Sequence, residues 1–99
     1  MPVVSTDHRA RTLREAWIGD AVLTLFARRW ILAETGAIDG ERSVRMTSNQ
    51  FLNSFGQPDE VEAQIGRVYE TEGLEAAFEW IETQLLPMFL RQEENRKKR

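Results

Sequence analysis

Residues 16–27 read Ala-Trp-Ile-Gly-Asp-Ala-Val-Leu-Thr-Leu-Phe-Ala. No polar residue recurs with the period of two that a half-buried strand requires. The apolar residues around this stretch, Ile18, Val22, Leu25, Phe26 and Trp30, fall at helical spacing and predict a helix over 12–33. Only Asp20 and Thr24 are polar, and they lie one turn apart on one face. A helix apolar nearly all the way round is expected to be buried on most faces. A buried carboxylate costs several kcal/mol unless something meets it. Asp20 is therefore expected to have a partner, either an arginine or a cation.

Beyond this helix the sequence keeps the same period. Gly36 and the pair Asp39-Gly40 mark a loop. A second helix is expected over 43–53, with Val44, Phe51 and Leu52 as core candidates. Gly56, Gln57 and Pro58 break it. Pro58 suits a helix's first turn, where Asp59 and Glu60 complement the macrodipole. This third helix carries Val61, Ile65 and Val68 inward and ends at Gly73. A fourth runs over 74–91 with Ala77, Trp80, Ile81, Leu85, Met88 and Phe89 inward, and Pro87 kinks or restarts it. Trp17, Trp30 and Trp80 are read as core or interface residues. No strand pattern or repeat is present. The expected fold is all-α, a single domain of four to five helices over 1–99, with 1–9 and 93–99 flexible.

Composition narrows the chemistry. The 99 residues include no cysteine and one histidine, His8, so thiolate sites are excluded and a zinc site is not expected. A metal would have to be held by oxygen, which favours Mg²⁺ or Mn²⁺. Thirteen Lys+Arg against sixteen Asp+Glu give a net charge of -3, unlike a simple basic nucleic-acid binder. No apolar run approaches the roughly 20 residues of a membrane span. The N-terminal residues lack a signal-peptide pattern. A soluble, cytoplasmic protein is expected.

A second group of acids bears on Asp20. Asp59 and Glu62 are three apart and share a helix face, which Gly66 continues. Gly19 directly precedes Asp20. Two helices meeting at Gly19 and Gly66 would bring three carboxylates together. Like charges so placed raise one another's pKa unless a divalent cation neutralises them. An all-oxygen site of this kind serves phosphodiester cleavage. Capping by Asp59 and Glu62 is an equally available role from spacing alone. Arg42 and Arg45 are candidates for phosphate contact or for a solvated helix face.

These residues carry a resemblance. Trp-Ile-Gly-Asp-Ala-Val-Leu at 17–23 resembles the signature helix of the ribonuclease III family. Asp-Glu-Val-Glu-Ala-Gln-Ile-Gly at 59–66 resembles its second motif, Asp-x-x-Glu-Ala-x-x-Gly. Tyr69 and Gly-Leu-Glu-Ala-Ala at 73–77 look like its continuation. The resemblance implies a homodimeric endonuclease that cleaves double-stranded RNA with Mg²⁺, with Mn²⁺ as a substitute. Asp20, Asp59 and Glu62 would be its metal ligands, and Trp17 would lie near the dimer interface. Ala16 stands where the family usually has a glutamate, as in the Mini-III subfamily, to which 44–52 is also similar. The stretch between Phe51 and Asp59 is shorter than the family's, and a separate double-stranded-RNA-binding domain is not expected. Three readings remain open: a Mini-III-like nuclease, with ribosomal RNA processing among its implied roles; a non-catalytic fold docking on RNA, a ribosomal protein or an accessory partner; or a structural helical dimer whose acids are ordinary caps and salt bridges.

Overall fold

The computed structural model describes the backbone of residues 4–98 and the side chains of residues 8–98. Among the described residues there are six helical segments and no strand: α1 (Val4–Thr35), α2 (Gly40–Thr47), α3 (Asn49–Asn53), α4 (Pro58–Glu72), α5 (Leu74–Gln84) and α6 (Leu86–Lys97). Leu85 keeps right-handed helical backbone between α5 and α6, so the chain stays helical through the junction. Pro87 falls in the first turn of α6, where its missing N–H interrupts the run of hydrogen bonds from α5. The all-α expectation is met, and none of these helices is long and apolar enough to cross a membrane.

Each boundary has a local cause. Gly36 takes φ 73°, and its N–H reaches the Leu32 carbonyl at 2.9 Å, closing α1 with a left-handed cap. Asp39 caps α2 by accepting from the Arg42 N–H at 3.0 Å. Gln57 caps α4 by accepting from the Glu60 N–H at 2.8 Å, with Pro58 in the first turn. Gly73, at φ 99°, ends α4. The helix expected over 43–53 is two helices. Ser48 adopts extended backbone (ψ 152°), and its hydroxyl caps α3 by accepting from the Phe51 N–H at 3.1 Å. A serine that can bond its own neighbours competes with the continuing helix.

α1 spans the molecule and packs against α4, α2 and α5. The core lies between them, with Leu23, Ile31, Leu52, Ile65, Ile81 and Leu85 fully enclosed. Phe26 meets Phe78 edge-on at 5.4 Å, and Phe51 meets Phe89 at 5.5 Å. Trp30 and Trp80 pack against the rim of this core as expected.

Two expectations need correction. α1 is not buried all round: Trp17 is 79% exposed, and Leu13, Leu25 and Leu32 also face outward. Its neighbours cover only one side, which Ala16, Val22, Leu23, Phe26 and Ala27 fill. Val44 is 65% exposed, because α2 turns Ser43 and Met46 inward instead. Helical backbone also runs over 4–9 and 93–97, within the terminal stretches expected to be flexible, while residues 1–3 and 99 lie outside the described residues.

Candidate functional site

α1 and α4 touch through their backbones. A Cβ placed on Gly19 would overlap the Glu62 carbonyl oxygen and sit 2.9 Å from the Gly66 nitrogen. A Cβ on Gly66 would overlap the Glu15 carbonyl oxygen and sit 3.1 Å from the Gly19 nitrogen. The two glycines therefore cross as the sequence spacing predicts, with no room between them for any side chain. This approach sets Asp20, the residue after Gly19, against Glu62, one turn before Gly66.

The buried acid is Glu62, not Asp20. Asp20 is exposed, whereas Glu62 sits in the run Val61-Glu62-Ala63 that α4 buries against α1. Burial is the first cause that pushes the Glu62 carboxyl up, to about 8. A hydrogen-bonding contact with Asp20 adds to it, followed by the charges of Asp20 and then Asp59. Glu62 thus favours its protonated form at neutral pH. Asp59, one turn before Glu62, is half-exposed and makes a loose ion pair with Arg9 at 3.9 Å. Such an exposed pair contributes little.

The structure brings Asp20 and Glu62 together and leaves Asp59 acting on Glu62 through its charge. As placed, no three acids among the described residues are grouped closely enough to hold a metal ion. No fourth acid joins them. Ala16 is buried, and Glu15 turns away to pair with Arg67 at 3.1 Å. The site still suits a hard cation in its chemistry: its donors are all carboxylate oxygens, and no positive group among the described residues pairs with its buried member.

The raised carboxyl has a measurable sign. A carboxyl that is ordinary when unfolded and titrates near 8 when folded binds an extra proton in the folded state between those limits. Its stabilising contribution is present below the ordinary pKa of 4.5 and is lost as pH rises through about 8. Metal-free protein should melt at progressively lower temperature from pH 5 to pH 9, and Glu62→Gln should flatten that part of the profile. A pH scan of thermal unfolding by circular dichroism checks this, and an unchanged slope in the variant contradicts the placement of Glu62.

Arg42 and Arg45 are neither free nor simply solvated. Arg45 makes a two-pronged pair with Glu93, Nε to Oε2 at 2.9 Å and Nη2 to Oε1 at 3.0 Å. This pair, mostly through its hydrogen bonds, holds the Glu93 carboxyl below the usual range. Arg42 lies over the Trp30 ring at 5.0 Å with its Nε 3.8 Å from Glu93, too far for a hydrogen bond. Glu93 is the participant that the sequence reading missed: it fell in the tail expected to be flexible, 48 residues from Arg45. Spacing within one helix carries no signal of such a distant pairing.

On the outer side of α1, Leu32 adjoins Ile38 and Val44 around an open apolar groove of about 580 Å³. Leu13, Trp17 and Leu25 extend the exposed apolar surface along the helix toward its start. No protein-family model matches the chain, and no match was found among curated proteins or solved structures.

Proposed function

We propose that this chain is a Mg²⁺-dependent endoribonuclease of the ribonuclease III, Mini-III-like type, acting on double-stranded RNA. The observation that carries the reading is the contact of Asp20 with buried Glu62 across the Gly19–Gly66 crossing. Two acids driven together without a cation raise each other's energy. A fold that retains them has a use for positive charge at that point. Asp20, Glu62 and Asp59 are the residues that would hold Mg²⁺ or Mn²⁺. A divalent cation there supplies the charge that phosphodiester hydrolysis needs on the attacking and leaving oxygens. The chain's own contribution is positional: the backbone contact fixes Glu62, and the exposed Asp20 presents its carboxylate to solvent and substrate. Asp59, in the first turn of α4, would have to leave its loose pair with Arg9 to join them. A cytoplasmic location and a role in RNA processing fit this reading.

The same reading includes a homodimer. Trp17, Leu13, Leu25 and Leu32 form an outward apolar stripe on the helix that carries Asp20. A stripe of this length on a small domain calls for a partner surface, and a second copy pairs it with itself about a two-fold axis. Asp20 then lies beside the interface, where two sites face the two strands of a duplex. Trp17→Glu should convert the dimer to monomer, read by sedimentation or light scattering. A wild-type chain that stays monomeric at high concentration contradicts this part of the proposal.

A second reading is a ribonuclease III fold that binds RNA, a ribosomal protein or an accessory partner without cutting. It is favoured by Ala16 and by the Glu15–Arg67 pair, which leave the site one acid short. Incubation of the protein with long duplex RNA and Mg²⁺ or Mn²⁺ separates the two. Cleavage that Asp20→Asn removes supports the nuclease. Retention of intact duplex at every metal concentration supports the binding protein.

A further inference from the structure

A second polar site lies away from the three acids. Between α2–α3 and α6 there is an open cleft of about 400 Å³. Its charged lining consists of Arg45, Arg96 and Glu93. Its neutral polar lining comes from Ser48, Gln50, Ser54, Gln92 and Asn95, over a floor formed by Phe51 and Phe89.

Glu93 occupies only one edge of the Arg45 guanidinium, the edge formed by Nε and Nη2. The opposite edge, Nη1 with the outer Nη2 hydrogen, has no hydrogen-bond partner among the described residues. A guanidinium clamped on one side by a carboxylate presents its other side in a fixed direction, so little rotamer entropy is lost when a planar acceptor arrives. The Gln92 side chain donates to the Ser54 hydroxyl at 3.1 Å and ties the walls together. The Gln50 and Asn95 amides and the Arg96 guanidinium make no side-chain hydrogen bond among the described residues. Donors therefore outnumber acceptors around the opening, and the lining carries one more positive than negative charge.

We infer that this cleft is an oxyanion site for a phosphate group, held by the free edge of Arg45 and by Arg96, with the side-chain amides of Gln50 and Asn95 as neutral donors. Guanidinium forks match phosphate oxygens in spacing and charge. Asp39 and Glu41 lower the positive potential at Arg45 from the far end of α2, but neither lines the cleft. The phosphate can belong to an RNA backbone or be free. The RNA source rests on the nuclease or RNA-binding reading above, and the phosphate chemistry does not.

The test uses the whole chain and inorganic phosphate at constant ionic strength, with chloride as the balancing anion. Binding is followed by the side-chain amide resonances of Gln50, Gln92 and Asn95. These should shift saturably with phosphate. Arg96→Gln should weaken binding about tenfold, the loss of one charge-assisted hydrogen bond. Arg45→Lys keeps the charge but loses the fork, and should weaken binding similarly. Arg28→Gln removes the same charge elsewhere on the surface and should change nothing. Arg96 is exposed, so its variant tests the site without risk to the fold.

A short RNA duplex, titrated without divalent metal, identifies the source. Weaker duplex binding by Arg96→Gln, alongside weaker phosphate binding, assigns the site to a backbone phosphate. An effect on inorganic phosphate alone assigns it to free phosphate. Absence of saturable shifts, or an equal loss in Arg28→Gln, overturns the inference and leaves the carboxylate reading untouched.

Discussion

Replacing Glu62 with glutamine is expected to abolish Mg²⁺-dependent cleavage of duplex RNA while leaving the protein as stable as before, or more stable, above neutral pH. The two halves of this result have one cause. Ionised Glu62 is buried beside Asp20 and destabilises the metal-free fold as pH rises through about 8. Glutamine has nearly the same shape, stays neutral and can still hydrogen-bond to Asp20, so that cost disappears. It also removes the buried ligand charge on which cation binding depends. Loss of support around a metal ligand alone costs roughly 10–100-fold, and loss of the ligand's own charge should cost at least about 100-fold. Asp20→Asn is expected to match it in activity without the same gain in stability, because Asp20 is already exposed. Asp59→Asn should cost less than either, since Asp59 is half-exposed and loosely held by Arg9. The measurements are gel-resolved cleavage of a long duplex and thermal melts at pH 6 and pH 9. Wild-type cleavage rates in Glu62→Gln would sink the assignment of roles, whatever its stability.

Much of the fold is legible because its signals are local. Pro58 with Gln57 starts α4, Gly73 ends it, and Pro87 marks the start of α6, each for a reason confined to a turn of backbone. The Gly19–Gly66 crossing is legible too, because a glycine in an otherwise good helix implies close approach. What spacing cannot supply is the number of neighbours a helix has. The apolar perimeter of α1 suggests burial on most faces, but a chain of this size wraps only one side. The surplus emerges as the stripe of Leu13, Trp17, Leu25 and Leu32. That error carries over to the acids. Asp20 looks enclosed among Ile18, Ala21 and Val22, and Glu62 looks like an ordinary first-turn acid, yet Glu62 is the enclosed one. The break at Ser48 and the pairing of Glu93 with Arg45 were hidden for different reasons. The first depends on a hydroxyl choosing a cap over a continuing helix. The second spans 48 residues.

The crossing itself is the most sensitive point in the molecule, and Gly66→Ala tests it. Most small-to-large changes are relieved when a facing side chain rotates away. Here the methyl would meet the Glu15 carbonyl and the Gly19 nitrogen, which are main-chain atoms of a helix. The only relief is to move α1 and α4 apart along their shared contact, opening the packing of Leu23 and Ile65. Overpacking of this kind costs about 3 kcal/mol or more. Alanine's better helix propensity returns about 1 kcal/mol. The net loss of about 2 kcal/mol corresponds to a melting point lower by roughly 8–16 °C in a domain of this size. Gly19→Ala should behave alike, because its methyl would meet the Glu62 carbonyl. Gly40→Ala is the control: a Cβ there meets nothing within 4 Å, so the variant should melt as the wild type does or slightly higher. Separation of the helices also withdraws Asp20 from Glu62 and lets water reach the buried carboxyl. In either crossing variant that still folds, the loss of stability between pH 5 and pH 9 should therefore shrink, although both acids remain. A variant that melts like wild type, with its pH slope intact, would mean that the backbones are not in contact and that something else holds Glu62 against Asp20.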